Sequence, residues 1–146
     1  MPITESIVDL ALDVKRRLDE AKATIGLADV YYGDQTKIPR VPAACVEPIV
    51  KRREHQGVPR QTLVDFQVGI LVYLAEANSV QTTREDVDRV AEAIETELHK
   101  DSQMGGLVID SLVSTLESGY AFRGNTLYRT SRIVFTGRSK VGLPLS

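Results

Sequence analysis

Residues 61–75 read Gln-Thr-Leu-Val-Asp-Phe-Gln-Val-Gly-Ile-Leu-Val-Tyr-Leu-Ala. Every second position is apolar: Val64, Phe66, Val68, Ile70, Val72 and Leu74. The set between them, Leu63, Asp65, Gln67, Gly69, Leu71 and Tyr73, is mixed. A period of two with one uniformly apolar side marks a strand that buries one face. This one is longer than the usual strand of a globular domain. Gly69 is the expected bulge or bend, because a missing side chain lets a sheet curve there. Such a strand demands partner strands and an apolar layer over its even face.

The flanking segments supply both. Residues 4–23 predict a helix, with Ile3, Ile7, Leu10, Ala11, Val14 and Leu18 on one stripe. Thr4 or Ser6 is suited to cap it, and Glu5 and Asp9 suit its positive end. Residues 30–32 form a short strand, Gly33-Asp34 a turn, and 35–42 an extended loop held by Pro39 and Pro42. Residues 43–50 resume strand character, with Pro48 indicating an edge or a bulge. Residues 51–59, Lys-Arg-Arg-Glu-His-Gln-Gly-Val-Pro, are expected to form a long charged hairpin loop. After a turn at 76–80, Thr82 and Glu85 match a capping box, and Val87, Val90, Ala91, Ile94 and Leu98 continue as a helical stripe. His99 closes that helix as a surface cation favoured by the dipole. Residues 103–106 turn, 107–118 form a strand, 118–125 an exposed link, and 127–136 the last strand. Residues 137–146 read as a C-terminal arm without a core pattern.

This order predicts one α+β domain over residues 1–146, with two helices packed on one face of a mainly antiparallel sheet and a long β-hairpin loop. Its 146 residues suffice for one core. No apolar run approaches the roughly 20 residues of a membrane helix. Acids at Glu5, Asp9 and Asp13 argue against a secretory signal. A single cysteine, Cys45, excludes an internal disulfide.

Catalytic chemistry finds little to work with. His55 has only Glu54, its sequence neighbour, to orient it. Cys45 in a strand reads as a small buried hydrophobe. One Cys and two His do not make a zinc site. Gly105-Gly106 lacks the downstream Lys-Ser/Thr of a phosphate loop. The reading is therefore of a non-enzyme with no cofactor and no metal. Net charge is -2, but the charge is unevenly placed. Residues 37–60 carry Lys37, Arg40, Lys51, Arg52, Arg53 and Arg60 against Glu47 and Glu54. Residues 118–146 carry Arg123, Arg129, Arg132, Arg138 and Lys140 and no acid. Such asymmetry complements a charged neighbour or is simply solvated. Phosphate contact with passing DNA fits it, while sequence-specific reading does not, since aromatics are few.

The layout resembles the tail terminator, or tail-to-head joining, proteins of long-tailed bacteriophages. The likeness rests on the N-terminal helix, Ile-Pro-Arg-Val-Pro before Ala43, the strand pair around a charged loop, and the 66–74 strand. The 83–98 helix, Gly105-Gly106-Leu107 and Tyr-Arg-Thr-Ser-Arg-Ile-Val-Phe at 128–135 complete it. The resemblance implies a structural virion protein, assembled in the host cytoplasm, that forms a homo-hexameric ring. The ring would cap the tail tube protein, stop tube growth and meet the head-tail connector or stopper protein. Genomic DNA would pass through its lumen without specificity, and no membrane is involved. Within that frame Lys51, Arg52, Arg53 and His55 are the candidates for contact with the lumen or the tube. Arg129, Arg132, Leu143 and Leu145 are the candidates for inter-subunit contact. Another neck or head-completion component, or a generic oligomeric binding module, is the alternative.

Overall fold

The computed structural model describes residues 3–4, 6–55, 61–78 and 84–142. Three helices, α1 (Ile7–Glu20), α2 (Lys22–Ile25) and α3 (Arg84–Leu98), accompany five strands. The strands are β1 (Asp29–Tyr32), β2 (Ala43–His55), β3 (Gln61–Glu76), β4 (Asp110–Arg123) and β5 (Thr126–Gly142). They form one sheet in the order β1-β2-β3-β5-β4. β1 runs parallel to β2, and every other pairing is antiparallel. The fold is α+β, with a mixed, mostly antiparallel sheet.

β3 is the centre that its alternation predicts. Val64, Phe66, Val68, Ile70 and Val72 are fully buried. They share one cluster with Leu10, Ala11, Val14 and Leu18 of α1, Ile94 and Leu98 of α3, and Ile133 and Phe135 of β5. Each large side chain so buried contributes roughly 1.5–3 kcal/mol. Ser6 caps α1 by accepting the Asp9 N–H at 3.2 Å. Asp13 also lies buried on α1, beside Arg16 at 2.7 Å and Arg17 at 2.8 Å, and Arg17 reaches on to Asp101. Thr82 of the expected capping box lies outside the described residues.

Four expectations need correction. Residues 51–55 are strand, not loop: β2 continues to His55, opposite Thr62. The central strand supplies a complete ladder, so a charged run with no apolar alternation is still held extended. Residues 118–123 are strand too, and only Gly124 and Asn125 turn the chain between Arg123 and Thr126. Gly124 has φ 63, as the first central position of a II′ hairpin requires. Residues 137–142 belong to β5 rather than to a free arm. Gly137 and Ser139 lie on the buried side there, under Leu10, Val108 and the Leu107 carbonyl. Small residues fit because that cover presses close. Finally, the bulge lies on β2 rather than at Gly69: Ile49 is the extra residue between Pro48 and Val50, which stand opposite Val68 and Gln67, while Gly69 stands opposite Glu47. A Cβ on Gly69 would lie 2.8 Å from Ile49 Cδ1. Further irregularities occur at Leu74 of β3 and Ser114 of β4.

Candidate functional site

The basic segment does not form one patch. Lys51 stands opposite Phe66 and Arg53 opposite Val64, on the face of the sheet that carries the main apolar cluster. Arg52 stands opposite Asp65, on the other side. All three side chains are exposed, as charges on an edge strand usually are. His55 occupies the strand at the Thr62 register.

Arg52 begins a row that crosses four strands: Arg52, Asp65, Arg138, Asp110. Arg138 Nε donates to Asp65 Oδ1 at 2.7 Å. The Asp65 carboxylate beside it holds the Arg138 pKa above its ordinary value. A hollow of about 370 Å³ opens along this row, lined also by Val50, Gln67 and Leu112. Its charges alternate in sign and offset one another, so it offers no focused site for an anion or a cation.

Arg129 and Arg132 lie on opposite faces, since β5 alternates and they are an odd number of residues apart. Arg129 is half-buried, its Nη2 3.5 Å from the Ala77 carbonyl. Arg132 is exposed, between Leu71 and Glu117 in register. The structure does not bring them together. Leu143 and Leu145 lie outside the described residues.

A cluster that the sequence reading missed covers one end of the second face. Tyr73 and Tyr128 meet edge to face with centroids 5.6 Å apart, among Ile38, Ala43 and Cys45. The loop between β1 and β2 straps over them. Tyr73 Oη donates to Asp34 Oδ1 at 3.0 Å, and Arg123 pairs with the same carboxylate while lying 5.2 Å over the Tyr73 ring. Burial pushes the Asp34 carboxyl up, but hydrogen bonds from Arg123 and Tyr73 outweigh it and leave the pKa below the ordinary value. Burial, then the Asp34 hydrogen bond, raises the Tyr73 phenol. Burial pushes the Cys45 thiol up to about 11, so it is a buried hydrophobe and not a nucleophile at neutral pH. The only sign of this cluster in the sequence is that Tyr73 interrupts the mixed set of β3 with a ring.

Among the described residues, both sheet edges are partly open. β1 pairs with β2 only as far as Val46. Beyond it, among the described residues, β2 has a strand on one side only. On the far edge, among the described residues, β4 pairs only with β5. His99 Nε2 accepts the Val113 N–H at 2.9 Å and so closes the start of that edge. The ring that the sequence places at the end of α3 thus also ties that helix end to β4. Farther along β4, Tyr120 and Phe122 are each 63% exposed. Leu12 and Val8 on α1, and Ile49 and Leu112 on the sheet, are also exposed apolar residues. No group of three His, Cys, Asp or Glu side chains placed to hold a metal occurs among the described residues. No described helix is long and apolar enough to cross a membrane.

No family model and no curated protein matches the chain. One solved chain, named only by a sequence identifier, aligns over 98% of this chain and 99% of its own, at 18% identity and a TM-score of 0.42. Overlap at that level carries no argument about role.

Proposed function

We propose that this chain is a structural subunit of a bacteriophage neck, a tail terminator that assembles into a ring, six-fold by the resemblance its sequence bears. In this reading α1 and α3 form a layer on one face of the sheet, and the chain from residue 1 to 146 acts as one building block. The ring caps the tail tube, stops its growth and presents a surface to the head connector, with DNA passing through the lumen. The protein works in the virion and catalyses nothing.

One observation carries this reading: the sheet presents two different surfaces at opposite edges. One is the basic half-strand with Lys51, Arg52 and Arg53 exposed; the other is the β4 edge with Tyr120 and Phe122 exposed. A closed ring is built from unlike surfaces that meet head to tail. A subunit with one basic and one aromatic edge has what that requires. Lys51 to Arg53 also offer cations to phosphate or to an acidic tube rim.

Electron microscopy and native mass measurement of the purified protein, alone and with tail tubes, test the ring directly. Rings with one defined copy number are expected. A chain that stays monomeric in both conditions refutes the proposal. Replacing Lys51, Arg52 and Arg53 together with serine should leave the fold intact and impair joining. Normal virion yield from that variant would exclude those residues from the contact.

A further inference from the structure

Which edge groups point outward follows from the hairpin. The two-residue turn at Gly124-Asn125 makes Arg123 and Thr126 a hydrogen-bonded pair. Alternation from there turns the backbone N–H and C=O of Leu116, Ser118, Tyr120 and Phe122 away from β5. The Leu127 carbonyl checks this phase, since it faces the other neighbour and accepts the Ala77 N–H at 2.8 Å. On β2, the Val46 carbonyl faces outward to the Gly33 N–H. Pro48, with no N–H to offer, comes next on that side. After the bulge at Ile49 the outward positions are Lys51 and Arg53, with His55 following in the strand.

Both outward sets lie on one face of the sheet. Leu116 stands opposite Ile133, and Lys51 opposite Phe66, both buried beneath the helices. Alternation puts Ser118, Tyr120 and Phe122 on the same face as Leu116, and Arg53 on the same face as Lys51. The strand directions match as well. β2 and β5 run one way, and β3 and β4 the other. A second copy turned about an axis along the strands, without being flipped, therefore lays its β2 antiparallel to the first copy's β4. Residues directly opposite in a ladder share a face, so the helix layers of the two copies fall on the same side.

We infer that the β2 edge of one copy, beyond Val46, adds to the β4 edge of the next copy, beyond Val113, as an antiparallel strand pair. The inference rests on the ring reading and names the surface that closes it. Side-chain chemistry favours a second copy as the occupant. Lys51 and Arg53 on one edge meet Tyr120 and Phe122 on the other, cations against exposed aromatic faces. β1 stops at Val46 and His99 covers Val113, so among the described residues each edge is covered only where the pairing does not need it. Between those covers, the open stretch of β4 holds a single acid, Glu117, and no proline, the kind of edge that invites another strand.

The test uses the full chain with Cys45→Ala, in two versions, Arg53→Cys and Ser118→Cys, one of them tagged. A short bis-maleimide should link the two versions when mixed, and link neither version to itself. As a second measurement, Ser118→Pro removes an outward N–H without touching the β4–β5 ladder. Its circular dichroism and thermal midpoint should stay as in the parent while the ring is lost. Rings that give no mixed cross-link and survive Ser118→Pro overturn this inference and leave the ring function standing. A Ser118→Cys cross-link to the tube protein instead of to a second copy also overturns it. A parent chain that never forms rings, alone or on tubes, overturns both readings.

Discussion

Replacing Tyr73 with Phe isolates one contact of the strap over the second face. Phenylalanine keeps the ring, its edge contact with Tyr128 at 5.6 Å and the Arg123 guanidinium 5.2 Å above it. Only the hydroxyl that donates to Asp34 at 3.0 Å is lost. A hydrogen bond to a charged acceptor contributes about 1.5–3 kcal/mol. Asp34 keeps Arg123, and its side chain is 39% exposed, so solvent screening discounts that figure. A loss of about 1 kcal/mol is expected, or roughly 3 °C in melting temperature for a chain of this size. The effect should depend on pH with a definite sign. The folded-state pKa of Asp34 lies below its ordinary value. Its contribution is therefore complete above the unfolded pKa of about 3.9 and is lost as pH falls through the lower folded value. Urea unfolding at pH 7 and near pH 3, for Tyr73→Phe, Asp34→Asn and the double variant, measures the coupling. Coupling of about 1 kcal/mol at pH 7 that shrinks in acid is expected. Equal costs at both pH values, or additive single variants, would refute the account of the strap.

Three further predictions concern packing. Gly137→Ala sets a methyl group 3.0 Å from Leu10 Cδ2 and 3.3 Å from Val108 Cγ1, both in the buried core, and should destabilise by about 1–2 kcal/mol in denaturant unfolding. Gly69→Ala brings a methyl within 2.8 Å of Ile49 Cδ1, but Ile49 is 40% exposed and free to swing, so stability should stay within about 0.5 kcal/mol of the parent. Asp13→Ala removes the buried carboxylate between Arg16 and Arg17 and should cost about 1–3 kcal/mol, read from the thermal midpoint at neutral pH.

How much of this was legible in the sequence depended on whether burial left a pattern. β3 showed itself because one face is sealed at every second residue from Val64 to Val72. The stripes of α1 and α3 were legible for the same reason. The second half of β2 was not, because Lys51 to Glu54 are all exposed and a ladder on one side is enough to hold them. The end of β5 was hidden by Gly137 and Ser139, whose smallness records a close cover rather than an apolar one. The burial of Asp13 leaves no apolar pattern, and Arg16 and Arg17 at helical spacing are the sign of its pairing. The contact among Tyr73, Asp34 and Arg123 joins residues 39 and 89 positions apart, and no local pattern announces it. Of the proposed contact residues, the sequence found the basic strand but assigned it to a loop, and it gave no hint of Tyr120 and Phe122 as an edge.

The seam between β3 and β5 also shapes how the chain reaches its native state. β2 with β3, and β4 with β5, are hairpins whose partners are close in sequence, whereas β3 and β5 meet only after α3 and β4 have been made. Closing that long intervening stretch is the large entropic loss on the route, and nothing rewards it until the two halves zip together. We expect substitutions at Val68 and Phe135, opposite each other on the seam, to slow folding in stopped-flow measurements.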